Sequence, residues 1–426
     1  MATIPESPIN LEVRLNREFL PVEKEGILFL SIKISPTQQA EQLVRSYRPK
    51  VHLVFSIDTS GSMAGEKIET AKKAAEERLN RDLDNGDYVS MVTFSESANA
   101  VVSLLSVDQQ SKQMFGSQIR DLEVGSLTNL YDGLKLAGEL ANRSPSGYLR
   151  RILLLTDGNP TTGVMSRGKI VSLAKDIREK YKATIDVIGI GDDYDPDLTR
   201  DIALASGGSH YHASKPSEIR GTSQTAVDKY KRTILDVPPP LMVIPVSRMI
   251  IEKALQVAPE IIDITPKGKK RIKATSIEQT RLGEYQFTPA PISVGRPIVL
   301  AFKIKAHQNR PGRTELAKIK FGSMGSSVTV EFTNDFSKLA EEKDPIPRLL
   351  FMIGSKINEL NQAILAGDES LKNEIEQFIN KLISDGNIKN VIRSDPILLT
   401  LVSKFQASLT ITDERTKCDI LTKPYQ

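Results

Sequence analysis

Cysteine is almost missing from this chain of 426 residues. Cys418 stands alone, so no disulfide can close within the sequence, and a reducing compartment, the cytoplasm, is the expectation. Nowhere do roughly eighteen apolar residues follow one another, which argues against a helical membrane span. Residues 1–8 lack the basic-then-apolar order of a secretion signal. An excess of one charge is missing too: 57 basic residues stand against 53 acidic ones, for a net charge of +4. Aromatic residues make up only 5% of the chain and do not interleave with a Lys/Arg stripe, so no nucleic-acid partner is expected. The lone basic cluster, residues 267–271, reads as a hairpin turn. There are four histidines, no phosphate-binding loop and no metalloprotease helix motif. No pairing of a nucleophile with a base can be found, and a non-enzymatic protein is expected.

What is present describes a soluble globular chain, 39% hydrophobic and 26% charged, long enough for two or three domains. One stretch organises it. Residues 51–57 are apolar and rich in Val, Ile, Leu and Phe without a clean alternation, the mark of a buried parallel strand. They run straight into Asp58-Thr59-Ser60-Gly61-Ser62. Oxygen side chains at alternate positions of a loop just beyond a strand end can converge on one point, with Gly61 allowing the tight turn. Oxygen-only donors suit a hard cation such as Mg²⁺ better than zinc or copper.

Two further stretches add to this. Gly125-Ser126-Leu127-Thr128-Asn129 precedes an amphipathic segment at 130–140, placing Thr128 at a helix start. Residues 151–156 form another buried strand, and it ends on Asp157-Gly158. A serine-rich turn capping the next helix would explain Ser62 alone, but not three such loops in this order. The pattern Asp58, Ser60, Ser62, Thr128, Asp157 resembles the metal-ion-dependent adhesion site. The stretch from about residue 50 to 234 resembles a von Willebrand factor A domain. The resemblance implies that Ser60, Ser62 and Thr128 bind Mg²⁺ directly, with Mn²⁺ or Ca²⁺ as alternative ions, while Asp58 and Asp157 bind it directly or through water. It also implies a partner protein that offers an Asp or Glu side chain to the metal.

The flanking chain reads differently. Residues 9–15 and 27–34 are strands, but so few strands cannot close a core by themselves. From 50 onward strands alternate with helices, giving a mostly parallel sheet covered on both faces. An antiparallel edge pair is expected at 88–94 and 100–105, helices at 108–121, 166–181, 196–205 and 217–234, and strands at 185–190 and 210–212. The prolines at 238–240 end this pattern. Short alternating segments follow at 242–251, 261–264, 271–277, 285–288, 298–304, 316–321 and 327–332, an all-β pattern. The expected architecture is a doubly wound α/β domain (49–236) inserted into a discontinuous β-sandwich (1–48 with 237–334), resembling the insertion in integrin β subunits. Helices at 346–365, 371–382 and 396–405 form a tail over 335–426 with an apolar seam.

Other candidates carry less. Asp193, Asp195 and Asp197 have the first spacings of a calcium loop but lack its Gly and final Glu, so a capped helix start is expected. His210 and His212 share one side of a strand without a third ligand, and are read as structural. Gly189-Ile-Gly191 lacks the rest of a dinucleotide fingerprint. The leading expectation is a Mg²⁺-dependent protein-binding module whose specificity comes from loops near Met63, Ala64, Thr128, Asn129 and 160–164, with displacement of the 217–234 helix as its switch. The alternatives are a partner subunit of an AAA+ ATPase of the chelatase kind and a metal-dependent hydrolase.

Overall fold

The computed structural model describes residues 8–46, 49–157, 159–191, 195–213, 232–266, 278–279, 283–411 and 420–421. Several expectations fall outside these residues: the helix at 217–234 up to residue 231, the strand at 271–277, the basic cluster at 267–271, Asp193 and Cys418. Contacts divide the chain into two units. One runs Gln38–Pro238; the other is formed by the chain before it, ending at Thr37, and the chain after it, from Pro239 on.

Three strands come first, β1 (Ile9–Leu15), β2 (Phe19–Pro21) and β3 (Gly26–Pro36), and they belong to the second unit. The first unit then begins with helix α1 (Gln38–Ser46), which the sequence reading did not foresee. Its sheet contains β4 (Val51–Asp58), β5 (Tyr88–Phe94), β6 (Ala98–Ser106), β7 (Leu149–Thr156), β8 (Ala183–Ile190) and β9 (His210–Ala213) in the order β6-β5-β4-β7-β8-β9. The β5–β6 pair is antiparallel and every other pair is parallel. Every residue of β4 and of β8 is buried, as a parallel strand covered on both faces must be.

Alternation along β4 divides the apolar residues between two cores. Leu53, Phe55 and Ile57 pack with Ile68 and Leu79 of α2 (Glu66–Asp82) and Phe115 of α3 (Gln109–Arg120). Val54 packs on the opposite face with Leu130 and Leu134 of α4 (Leu130–Ala141) and Ile170 of α5 (Arg167–Tyr181). Helix α6 (Pro196–Ala205) contributes Leu198 and Ile202 to that second core. The chain crosses from β4 to β5 on one side and continues at β7 on the other. Strand order therefore reverses beside β4, and at such a point the two loops that leave the carboxyl ends diverge and open a crevice. Asp58 is the last residue of β4. The unit closes with β10 (Thr233–Leu235), so the end of the expected 217–234 helix is strand instead.

The second unit contains β11 (Leu241–Pro245), β12 (Met249–Ala258), β13 (Ile262–Asp263), β14 (Glu278–Gln279), β15 (Tyr285–Phe287), β16 (Ile292–Ser293), β17 (Ile298–Ala306), β18 (Gly312–Phe321) and β19 (Met324–Thr333). One sheet has the order β1-β3-β17-β12-β13 and another the order β14-β15-β11-β18-β19-β2. Residues 242–251, expected as a single strand, are two strands in different sheets, because Pro245 cannot donate to a continuing ladder. Strand β3 pairs with β17 from Ile34 opposite Ile298 to Gly26 opposite Ala306. The N-terminal strands thus complete sheets whose other members lie some 200 or more residues later.

Helices α7 (Phe336–Ala340), α8 (Ile346–Ala366), α9 (Glu369–Ser384), α10 (Gly386–Ser394) and α11 (Pro396–Leu409) follow. Their apolar residues pack on a sheet: Leu349, Ile353 and Ile357 of α8 share one cluster with Leu255, Val257, Val299 and Ala301. Gly354 allows the close approach, since a Cβ there would sit 2.7 Å from Cγ1 of Val257.

Candidate metal centre

The end of β4 and the end of β7 bring a set of oxygens together. Asp58 is fully buried; its Oδ1 accepts from the Ser60 amide at 2.9 Å and its Oδ2 from the Thr156 hydroxyl at 2.6 Å. The Ser60 and Ser62 hydroxyls lie 3.1 Å apart. Ser62 in turn donates to Oδ1 of Asp157 at 2.7 Å. Ser60, Ser62 and Asp157 thus form one hydrogen-bonded run of side-chain oxygens, tied to Asp58 through the backbone of Ser60. The turn owes its shape to the amide bond to Asp58 and to a short 3₁₀ segment, Gly61–Met63, in which Met63 points inward and is completely buried.

Thr128 enters from a second loop. It is buried, and its loop is bonded to the first by Gly125 N to Thr59 O at 2.7 Å and by Gly61 N to Ser126 O at 3.3 Å. Gly61 suits this close approach, since a Cβ at that position would lie a tight 3.3 Å from the Ser126 carbonyl oxygen. A third loop supports the second: the Thr161 hydroxyl accepts from the Thr128 amide at 2.9 Å, and the Thr161 amide donates to the Thr128 carbonyl at 3.0 Å. Asn129 caps α4 by accepting from the Asp132 amide. Glu96 braces the same loop by accepting from the Ser126 amide and hydroxyl, and these bonds, the Ser126 hydroxyl foremost, hold its carboxyl below the usual range.

Electrostatics mark the centre. Burial pushes the Asp58 carboxyl up to about 6, with nearby Asp157 acting in the same direction, while hydrogen bonds from Thr156 and Ser60 act against it. Two buried carboxylates so placed call for a counter-charge. One is supplied within the chain: Nζ of Lys67, in the first turn of α2, lies 2.5 Å from Oδ2 of Asp157. The donor set fits a hard divalent cation. It consists of hydroxyls with two carboxylates, all oxygen. Among the described residues no group of three or more His, Cys, Asp or Glu side chains could hold a metal.

Sequence reasoning passed over Lys67, Thr156 and Glu96, and named Thr161 only as part of the 160–164 loop. Lys67 alone carried a signal, since a cation in the first turn of a helix opposes the dipole and needs a reason. Of the residues named for the loops expected to set specificity, Met63, Thr128 and Asn129 are buried, whereas Ala64 is exposed. Val124, Leu127 and Met165 are exposed large apolar side chains on the described parts of these loops. His210 bonds Thr199 at 3.2 Å and burial pushes it down to about 3, as befits a packed histidine. Asp195 caps α6 by accepting from the amides of Asp197 and Leu198.

Residues 52–225 match the von Willebrand factor type A domain. The chain is 28% identical over 276 residues to the uncharacterised protein sll0103 of Synechocystis sp., covering 64% of this chain and 61% of that one. It is 30% identical over 154 residues to inter-alpha-trypsin inhibitor heavy chain H1 of Bos taurus, covering 34% of this chain and 17% of that one. The chain therefore spans less than two thirds of the length of these relatives. Among solved structures, a von Willebrand factor type A protein from Catenulispora acidiphila superimposes with a TM-score of 0.68 at 16% identity. That likeness covers 100% of this chain and 99% of that one, and so extends to the fold of both units.

Proposed function

We propose that this chain, which carries a von Willebrand factor type A domain, is a non-enzymatic protein-interaction module of the cytoplasm that accepts an Asp or Glu side chain of a partner at a Mg²⁺ centre. The observation that carries the reading is the run of oxygens from Ser60 through Ser62 to Asp157, beside buried Asp58. Ser60 and Ser62, with Thr128 from the adjoining loop, would hold the ion directly, and Asp58 and Asp157 would complete its surroundings. Such an ion supplies positive charge that neutral hydroxyl ligands leave uncancelled, and Mg²⁺ keeps exchangeable waters that a carboxylate can replace.

This chain's own residues do the rest. Thr156 and the Ser60 amide orient Asp58, Thr161 and Glu96 fix the threonine loop, and Val124, Leu127 and Met165 are exposed apolar side chains on the loops that lead into α4 and α5. A partner acid flanked by apolar residues would suit such loops. The second unit serves as the frame in which the domain is inserted, as a β-sandwich with its helical tail. The test is capture of partners by the immobilised chain, wild type against Asp58→Ala, in Mg²⁺ and in chelator. Capture should require both Asp58 and the ion; capture that persists in chelator refutes the reading.

A further inference from the structure

Lys67 sits where helix electrostatics disfavour it. Helix α2 spans Glu66–Asp82, its N-cap is Gly65 with no side-chain cap, and Lys67 lies in its first turn, where the positive end of the helix dipole repels an ammonium. Lys67 nevertheless reaches across to Asp157. The contact is 2.5 Å, the Asp157 side chain is fully buried and Lys67 is only 26% exposed. Its end also passes beside Gly191, the residue after β8: a Cβ on Gly191 would lie 3.5 Å from Cε and Nζ of Lys67. Asp157 therefore has both oxygens committed, Oδ1 to the Ser62 hydroxyl and Oδ2 to Lys67.

We propose that Lys67 is a built-in counter-cation of the adhesion site, which weakens its hold on the divalent ion and strengthens the pull of the loaded site on a partner's carboxylate. The inference rests on the reading of Mg²⁺ binding given above. Two carboxylates and one ammonium leave the metal-free site with a single net negative charge, so the ammonium offsets part of the repulsion between the carboxylates. A divalent ion raises the same site to a net positive charge, where two carboxylates alone would have cancelled it. Lys67 thus trades metal affinity for attraction to an acidic partner, and it is a specificity-determining residue rather than a ligand.

The test is calorimetric titration of the full chain with Mn²⁺ alone and with Mg²⁺ alone, for wild type, Lys67→Met and Lys67→Arg. Circular dichroism confirms that each variant is folded, and Lys67→Gln replaces Lys67→Met should that variant not fold. Without the ammonium, ion binding should tighten on the order of tenfold, while Lys67→Arg stays near wild type. In chelator the Lys67→Met protein should melt below wild type, and Mn²⁺ should raise its melting temperature by more than it raises that of wild type. A merely structural lysine would move the first result the other way, because loss of a scaffold loosens the ion. Unchanged or weaker ion binding by folded Lys67→Met overturns this proposal and leaves the metal centre standing. Absence of ion uptake by wild type overturns both.

Discussion

At the scale of single residues the buried titrating groups have opposite consequences. Burial lifts Asp58 to about 6, so in the metal-free protein the folded state takes up a proton before the unfolded chain does. Stability contributed by this group rises as pH falls from about 6 to the ordinary carboxyl range, and at neutral pH the ionised form costs about 3 kcal/mol. Metal-free Asp58→Asn should therefore melt at or above wild type at pH 7, yet Mg²⁺ should no longer raise its melting temperature. Wild-type ion binding should weaken below pH 6, where the proton competes. His52 behaves in the reverse sense. Burial in β4 lowers it to about 4, with its Nε2 2.8 Å from the Ser90 hydroxyl. Stability is complete above the unfolded value of 6.5 and is lost as pH falls from there to 4, again by about 3 kcal/mol. The His52→Gln variant should lose that slope in pH-dependent denaturation, which single variants read more clearly than the wild-type curve because the two slopes oppose. Spacing local to three loops let the sequence single out Asp58, Ser60, Ser62, Thr128 and Asp157, and hydrogen bonds join Asp58, Ser60, Ser62 and Asp157 in the structure. The sequence concealed the pairings of Lys67 with Asp157 and of Glu96 with Ser126, residues far apart in the chain and joined only by folding.

Among elements, the loops around the centre depend on one another. Gly163 adopts φ +67°, and a Cβ there would lie 2.4 Å from Oδ1 of Asn129, the residue that caps α4 next to Thr128. Substituting Gly163→Ala should push Asn129 off its cap, cost about 1–2 kcal/mol in thermal unfolding and weaken Mg²⁺ binding measured by calorimetry. Helices and strands were largely legible where periodicity was strong: residues 9–15 were read as the strand that forms, and the edge pair β5–β6 is antiparallel as read. The helix at 38–46 was missed because its surroundings read as extended chain and a short amphipathic stretch there gives little pattern. The split of 242–251 was missed because Pro245 and the turn after it interrupt an apolar run without changing its composition.

Over the whole molecule, the first unit is closed by charge. Arg151, at the start of β7, is 1% exposed and bonds Asp236 at 2.6 Å, while Arg178 of α5 bonds the Asp236 carbonyl and the Thr184 hydroxyl. Burial pushes Arg178 down to about 10. These two guanidiniums hold the segment by which the chain leaves the unit. Removing their carboxylate with Asp236→Ala should cost about 3 kcal/mol, because it strands charge inside the protein; chemical denaturation of the full chain measures it. The second unit draws strands from both ends of the chain. Without β3, strand β17 loses one of its two neighbours along its entire length and keeps only β12. Residues 38–238 expressed alone should fold by circular dichroism, whereas residues 239–426 alone should not. That the early strands pair with late ones was legible from strand count alone, since two or three N-terminal strands cannot close a core by themselves. The tail helices were legible as amphipathic, but what their apolar seam covers, the sheet residues Leu255, Val257, Val299 and Ala301, depends on a surface that exists only after folding.

The most direct measurement is diffraction at the manganese absorption edge from crystals of the full chain grown with Mn²⁺. The account predicts a single strong anomalous peak in the first unit, bonded to the hydroxyls of Ser60 and Ser62 with Thr128 beside it, and absent from Asp58→Ala crystals. A peak bound elsewhere, or none at this centre in wild-type crystals, would contradict it.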